Sequence, residues 1–427
     1  MSTPFPSHET AKQAPESVSQ PVKIAGNPSL VDPSDAPGFP EGGFTAWGTV
    51  LGAFLIQFCG FGYTSVYGVF QGKYFGGLSY RRVDNRAIWI GSVNAFLILS
   101  VGLVSGRMVD LGAFYPVMKI GCLLQCFFLF MLSLAKPDGY YQASLIFLSQ
   151  GIGFGIAIGL TNVPSITVVS HHFQRRRAFA MGIVVAGASL GAILHPIMLN
   201  NLINGRLGFA NGVRASAGLI GGLLFIANLL MRTRLPPQPK AVSYTRVLQN
   251  SSRDGAYICV CIGMAAYEVG FFFEAFYLQL DSTLHGLSQG FSFYSVRLTI
   301  LNSGSFIGRL AAGVVSAYVG IPNTVVGSSL ISSAVLFAMI GLHSEASVAV
   351  IAVGYGFCAG GLVAMMGPLI SYLTPEISHI GARMGITFAI AGAPICGAFL
   401  TSHYIWWKAV VFAGASEPCQ AALLVFG

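Results

Sequence analysis

From Ala178 to Gly205 the chain carries no charged residue, and the stretch that opens this run, His171 to Pro196, reads HHFQRRRAFAMGIVVAGASLGAILHP. Such an abrupt change, from two histidines and three arginines to an apolar run, is what a bilayer boundary requires. The hydrocarbon core takes roughly 20 apolar residues per helix and leaves no water for unpaired backbone. Runs of this kind recur after residue 45, with room for about twelve. Only 9% of the 427 residues are charged and 54% are hydrophobic, where a soluble domain carries about 25% charge. The chain is therefore expected to be an all-α polytopic membrane protein, with twelve transmembrane helices in two six-helix halves.

Residues 1–40 are polar and rich in Pro and Ser, which predicts a disordered cytosolic tail and no signal peptide. The first half is read at 41–231, a central cytosolic loop at 232–255 and the second half at 256–427. Within them, helix 2 is expected near 87–109, helix 4 near 142–170, and helices 7 to 12 near 256–280, 291–315, 323–342, 346–373, 382–401 and 404–427. The net charge of +8 reads as positive-inside loops against a lipid bilayer, and no basic patch suits nucleic acid. Arg175, Arg176 and Arg177 and the central loop then lie with the tail in the cytosol, while Lys73, Arg81, Arg82 and Arg86 run against the rule. In that topology the sequon Asn250-Ser251-Ser252 stays unmodified.

Small residues mark close helix packing. Gly182, Ala186, Gly187 and Gly191 read as one small face of helix 5, and Gly151, Gly155 and Gly159 form overlapping G-x-x-x-G steps in helix 4. The eight cysteines, including Cys122 with Cys126 and Cys259 with Cys261, include no pattern for a metal or disulfide framework; the two pairs lie in apolar segments and read as packing residues. Gly187-Ala188-Ser189-Leu190-Gly191 matches a nucleophile elbow, but inside a membrane helix the pattern has no catalytic geometry. No nucleotide-binding loop occurs. Neither an enzyme nor a cofactor is expected.

Ionisable groups inside the bilayer cost about 2.5–3.5 kcal/mol each, so each needs a reason. Arg309 in helix 8 reads either as a site for an anionic substrate group or as a residue that snorkels or braces the loop. Glu268 in helix 7 reads as a protonation site or a structural acid. His195 is a proton carrier or a histidine bonded to a neighbouring helix. Gln57 and Asn162, with Asn94 and Gln125, either line a cavity or bond between helices, and Tyr63 and Tyr267 either line it or pack.

With these residues set out, the chain resembles the major facilitator superfamily, and within it the fungal branch of the monocarboxylate-porter family. Glu41-Gly42-Gly43-Phe44 through Trp47 resembles that family's approach to helix 1. His172-Phe173 with Arg175 to Arg177, Ala178, Ala180, Gly182 and Ala186-Gly187 resembles its start of helix 5. Gly106, Arg107, Asp110 and Gly112 resemble the superfamily's helix 2/3 loop, a conformational gate; Gly313 and Ala317 echo it weakly in the second half. By the same resemblance, Ser65 and Ser305 stand where animal lactate-type members carry a lysine and an aspartate, while Arg309 matches their arginine. This implies a secondary transporter of an amphipathic, weakly acidic organic molecule, working by alternating access with protons as the expected driving ion. Export of a fungal secondary metabolite across the plasma membrane is the first reading. Uptake of a monocarboxylate or riboflavin-like solute is the alternative, and a non-transporting solute sensor is the alternative of another class.

Overall fold

The structure is a computed structural model and describes residues 41–67, 69, 85–135, 145–234, 244–268, 291–338, 345–391 and 418. The tail 1–40, the Lys73 to Arg82 segment, the outer part of helix 7 and the expected helix 12 apart from Pro418 lie outside the described residues.

Every described element is helical. In chain order they are α1 (Phe44–Cys59), extended by a 3-10 turn (Phe61–Val66), then α2 (Asn85–Asp110) and α3 (Phe114–Leu132). A π-helical segment (Phe147–Gly153) leads into α4 (Phe154–Thr167) and a 3-10 turn (Val168–His171), followed by α5 (Arg177–Asn204) and α6 (Gly208–Leu230). The second half holds α7 (Gly255–Glu268), α8 (Phe291–Val319), α9 (Ile321–Ala338), α10 (Glu345–Tyr372) and α11 (Ile380–Ala391). Among the described residues, 9 helices are long and apolar enough to cross a bilayer, with α7 and α11 as shorter apolar helices.

Most helix ends fall within a few residues of the sequence expectation, because the same polar turns that interrupt the apolar runs also end the helices. Between α2 and α3 the cap is fully formed: the N–H of Ala113 donates to Met108 O at 2.9 Å and that of Gly112 to Val109 O at 2.8 Å. This Schellman pairing needs a left-handed residue, and Gly112 supplies it with φ +82°. One element was not anticipated, a short amphipathic helix (Tyr244–Ser251) in the central segment, with Val247 and Ser251 turned inward one turn apart.

In the first half, α1 packs on α5 and α6, α2 on α4, and α3 on α4 and α6; in the second, α10 packs on both α8 and α9. Two large seams join the halves, α5 with α8 and α2 with α11. The glycines of α4 face α2 as a single stripe, Gly155 against Asn94 and Leu97 and Gly159 against Leu97, Ile98 and Val101. Those of α5 differ from expectation. Gly182 faces α8, whereas Gly187 and Gly191 face the carbonyls of Phe54 and Phe58 in α1. Five residues at about 100° per residue separate Gly182 from Gly187 by some 140° around the helix, so α5 is narrow on two sides and sits between α1 and α8.

The π-helical segment displaces backbone carbonyls from the α ladder, and Asn94 of α2 supplies a donor to them. Its Nδ2 lies 2.7 Å from Gln150 O and 3.4 Å from Gly151 O. Asn94 thus bonds between helices.

Candidate functional site

The α5–α8 seam runs antiparallel, in steps of about one helical turn. Gly313 lies against the backbone of Ala178 and Phe179, and a Cβ at Gly182 would stand 2.9 Å from the carbonyl oxygen of Arg309. Next, Arg309 Nη1 donates to Val185 O at 2.5 Å, and Ser189 Oγ donates to Ser305 Oγ at 3.0 Å. The Arg309 side chain is buried, and among the described residues its Nε has no hydrogen-bond partner and no carboxylate pairs with it. Arg309 therefore does not snorkel to the headgroups. Among the described residues, one backbone carbonyl holds its cation between the two halves, and the Tyr267 phenol lies within electrostatic range.

The α2–α11 seam is built the same way. Gly106 meets Gly381 so closely that a side chain on either would overlap the other's backbone, and a side chain at Gly385 would overlap the backbone of Gly102. One turn beyond, Asp110 accepts the N–H of Gly381 at 3.0 Å and that of Ala382 at 2.7 Å. These are first-turn donors of α11, which no intrahelical acceptor satisfies, so a carboxylate from one half caps a helix of the other. Arg107, one turn back along α2, lies close enough to interact with the Asp110 charge. Both seams are closed at the end of the molecule that carries Arg175, Arg176 and Arg177.

At that end the two sequence motifs meet. Glu41 Oε1 accepts the N–H of Gln174 at 2.9 Å and of Arg175 at 2.6 Å, and Oε2 accepts that of Arg176 at 3.1 Å. Three consecutive donors around one carboxylate form an anion nest. Burial alone would raise the Glu41 carboxyl, but these N–H bonds, together with the Arg176 charge, outweigh it and hold the group below its ordinary value. The backbone bends sharply to reach it. Glu41 has φ +47° and Gly43 has φ +92°, and Gly42 continues the same turn. Trp47 then packs edge-on against Phe173 with ring centroids 5.2 Å apart. His172 Nε2 bonds Arg232 O at 2.7 Å and His171 Nδ1 bonds Thr233 Oγ1 at 3.1 Å, fastening the start of the central segment to the same turn.

The remaining polar candidates bond mostly within their own half. Gln57 Nε2 donates to Asn162 Oδ1 at 2.8 Å and Ser165 Oγ at 2.9 Å, tying α1 to α4. His195 Nε2 lies 3.1 Å from Phe58 O, and the ring sits between Phe58 and Tyr63. The Tyr63 oxygen accepts from Ser216 Oγ at 3.3 Å, and Tyr267 donates to Ala359 O at 3.3 Å. Glu268 is half-buried at the end of described α7, with no hydrogen bond to any described residue.

Sequence reasoning missed a second cluster, at the start of α11. Arg383 Nη1 lies 3.0 Å from Asp254 Oδ2 and donates to Leu373 O at 2.9 Å, and its guanidinium stands 4.7 Å from the Tyr257 ring centroid. Two signals were available: Arg383 is the only charged residue in the apolar run 380–401, and Asp254-Gly255 has the form of a helix N-cap.

Residues 49–392 match the family described as Major Facilitator Superfamily. The chain is similar to the aspyridones efflux protein of Emericella nidulans, with 34% identity over 93% of this chain and 80% of that one. It is similar also to an MFS-type transporter of an Ophiocordyceps species, with 34% identity over 90% of this chain and 87% of the relative. Among solved structures, the E. coli fucose:proton symporter superimposes with TM-score 0.67 at 14% identity, covering 89% of this chain and 98% of its own. A proton:xylose symporter gives TM-score 0.66 at 14% identity, covering 90% and 94%.

Proposed function

This chain belongs to the major facilitator superfamily of membrane transporters, and from that premise we propose that it exports an amphipathic, weakly acidic small molecule by alternating access. The observation that carries the reading is Arg309. A buried cation costs several kcal/mol unless it is paired, and among the described residues this one has one carbonyl partner between the halves and no partner at Nε. An anionic group on the substrate supplies the counter-ion that the described residues lack. Outward direction is supported by the name of the Emericella nidulans relative, an efflux protein. The motifs at Glu41-Gly42-Gly43 and at Arg175 to Arg177 favour the monocarboxylate-porter family, in its fungal branch.

In this reading the N-terminus is cytosolic, the membrane is the plasma membrane, and the two closed seams are the cytosolic gate. Gly106 and Gly182 let the halves approach, Asp110 latches them, and Gly112 with Arg107 shapes the latch. The substrate path opens on the far side of the Ser189–Ser305 pair, with Arg309 at its closed end. Glu268 takes the proton-coupling role, while Gln57, Asn162, Tyr63, Tyr267 and His195 form the framework around the path.

The test compares metabolites inside and outside source cells with and without the gene, followed by vesicle transport of the best candidates under imposed pH gradients. A metabolite retained by deleted cells and moved by the intact protein, with Arg309→Ala losing flux at unchanged membrane abundance, is the expected result. Medium solutes left unconsumed by deleted cells would overturn export in favour of uptake. No change in any solute would favour a sensor.

A further inference from the structure

The Asp110 cap works only if the first turn of α11 is held with its N–H groups aimed at α2, and nothing in α2 itself provides that. We infer that Arg383, braced by Asp254 and Tyr257, is the positioning residue for the gate: it fixes the start of α11 so that Gly381 and Ala382 present their donors to Asp110. This inference rests on reading the α2–α11 seam as a gate.

The geometry is that of a brace within one half. Asp254 caps α7, accepting the N–H of Tyr257 on Oδ1 at 3.2 Å, and turns Oδ2 to Arg383 at 3.0 Å. The same Arg383 nitrogen reaches Leu373 O at 2.9 Å, at the end of α10. One cation thereby ties α7, the α10–α11 turn and α11 together. The seam continues into the membrane: Tyr257 Oη donates to Arg383 O at 2.8 Å, Thr387 Oγ1 donates to Tyr257 Oη at 3.0 Å, and Cys261 Sγ lies 3.4 Å from Thr387 Oγ1. Residues 254, 257 and 261 share one face of α7, and 383 and 387 share one face of α11. The Arg383 side chain is buried, and its neighbours 381 and 382 are the residues that Asp110 holds.

All of these partners lie in the second half or, as Asp254 does, cap one of its helices, so the brace survives when the halves part, whereas the Asp110 bonds break. The first half has a counterpart at its own cytosolic-end turn, where Glu41 holds residues 174–176. There the partner across the interface is different, because α8 carries Ala317 where α2 carries Asp110. Only the α11 side therefore joins a carboxylate latch to a brace.

The experiment uses the full chain in lipid nanodiscs, with spin labels at the exposed positions Leu111 and Glu376, which flank the seam, after replacement of accessible native cysteines. Electron–electron distance distributions then report closed and open populations. Arg383→Gln and Asp254→Asn should each raise the open-to-closed ratio about tenfold, the worth of roughly one charge-assisted hydrogen bond at the latch. Arg383→Lys, which keeps the charge near Asp254, should recover most of the closed population. In an Asp110→Asn background, Arg383→Gln should add much less, because only one neutral bond of the latch remains.

An unchanged distribution in Arg383→Gln and Asp254→Asn, with Asp110→Asn shifted, overturns the inference and leaves the gate standing. A full additional shift in the Asp110→Asn background also overturns it, since Arg383 would then act by another route. If Asp110→Asn itself shifts nothing, the gate reading fails and the inference fails with it. Should Arg383→Gln not accumulate in membranes, the milder Asp254→Asn carries the same comparison.

Discussion

Replacing Asp110 by asparagine keeps the shape of the side chain and removes its charge, and the consequence can be worked from two distances. The carboxylate accepts N–H groups at 3.0 and 2.7 Å. Bonds to a charged acceptor are worth about 1.5–3 kcal/mol each, against about 1 for a neutral one. An asparagine keeps one such bond through its Oδ1 and turns an amide donor towards the second N–H. Asp110 is only half-buried, so water recovers part of the loss and about 2 kcal/mol remains. Because the bonds cross between halves, that energy belongs to the closed state and not to the fold of either half. At about 1.4 kcal/mol per tenfold, the open-to-closed ratio should rise roughly thirtyfold. Distance distributions between labels at Leu111 and Glu376 measure it directly, and thermal unfolding in detergent serves as the control. An unchanged distribution accompanied by a lower unfolding temperature would refute the reasoning, for Asp110 would then brace the fold and not the gate.

Gly106→Val should prevent closure while the chain still reaches the membrane, because any Cβ there overlaps the Gly381 backbone; the same labels should report the open form. Gly182→Val should act similarly through the α5–α8 seam, where a Cβ already falls 2.9 Å from Arg309 O, and vesicle flux should be lost. Glu41→Gln should cost about 1 kcal/mol of thermal stability at neutral pH, a small figure because the nest is solvent-exposed and water replaces much of the interaction. The sign with pH follows from the lowered Glu41 carboxyl. Its stabilisation is complete above the ordinary glutamate value of about 4.3 and disappears as pH falls through the lower native value. Wild type and Glu41→Gln should therefore differ by a constant amount from neutral pH down to about 5 and converge in stronger acid.

Much of the architecture was legible because the bilayer imposes it residue by residue. An uncharged run after Arg177 must span, Arg175 to Arg177 must lie at a boundary, and glycines spaced by four in α4 must admit another helix. The motif residues Glu41 and Asp110 were likewise visible as acids beside helix ends. What they cap was not visible. Glu41 reaches residues 133 to 135 positions away, and Asp110 reaches partners 271 and 272 positions away.

The sequence by itself determined that this chain crosses the membrane many times, where most helices begin and end, and which few charges had to be accounted for. Only the tertiary structure decided that Gly182 and Gly187 face different neighbours, that Arg309 rests on the Val185 carbonyl, and that Arg383 matters at all. The physical reason lies in the solvent. Lipid is as apolar as a neighbouring helix, so apolar periodicity does not mark the face that meets protein. Backbone carbonyls and N–H groups, which receive Arg309 and cap onto Asp110, are present at every residue and leave no trace in the side-chain sequence.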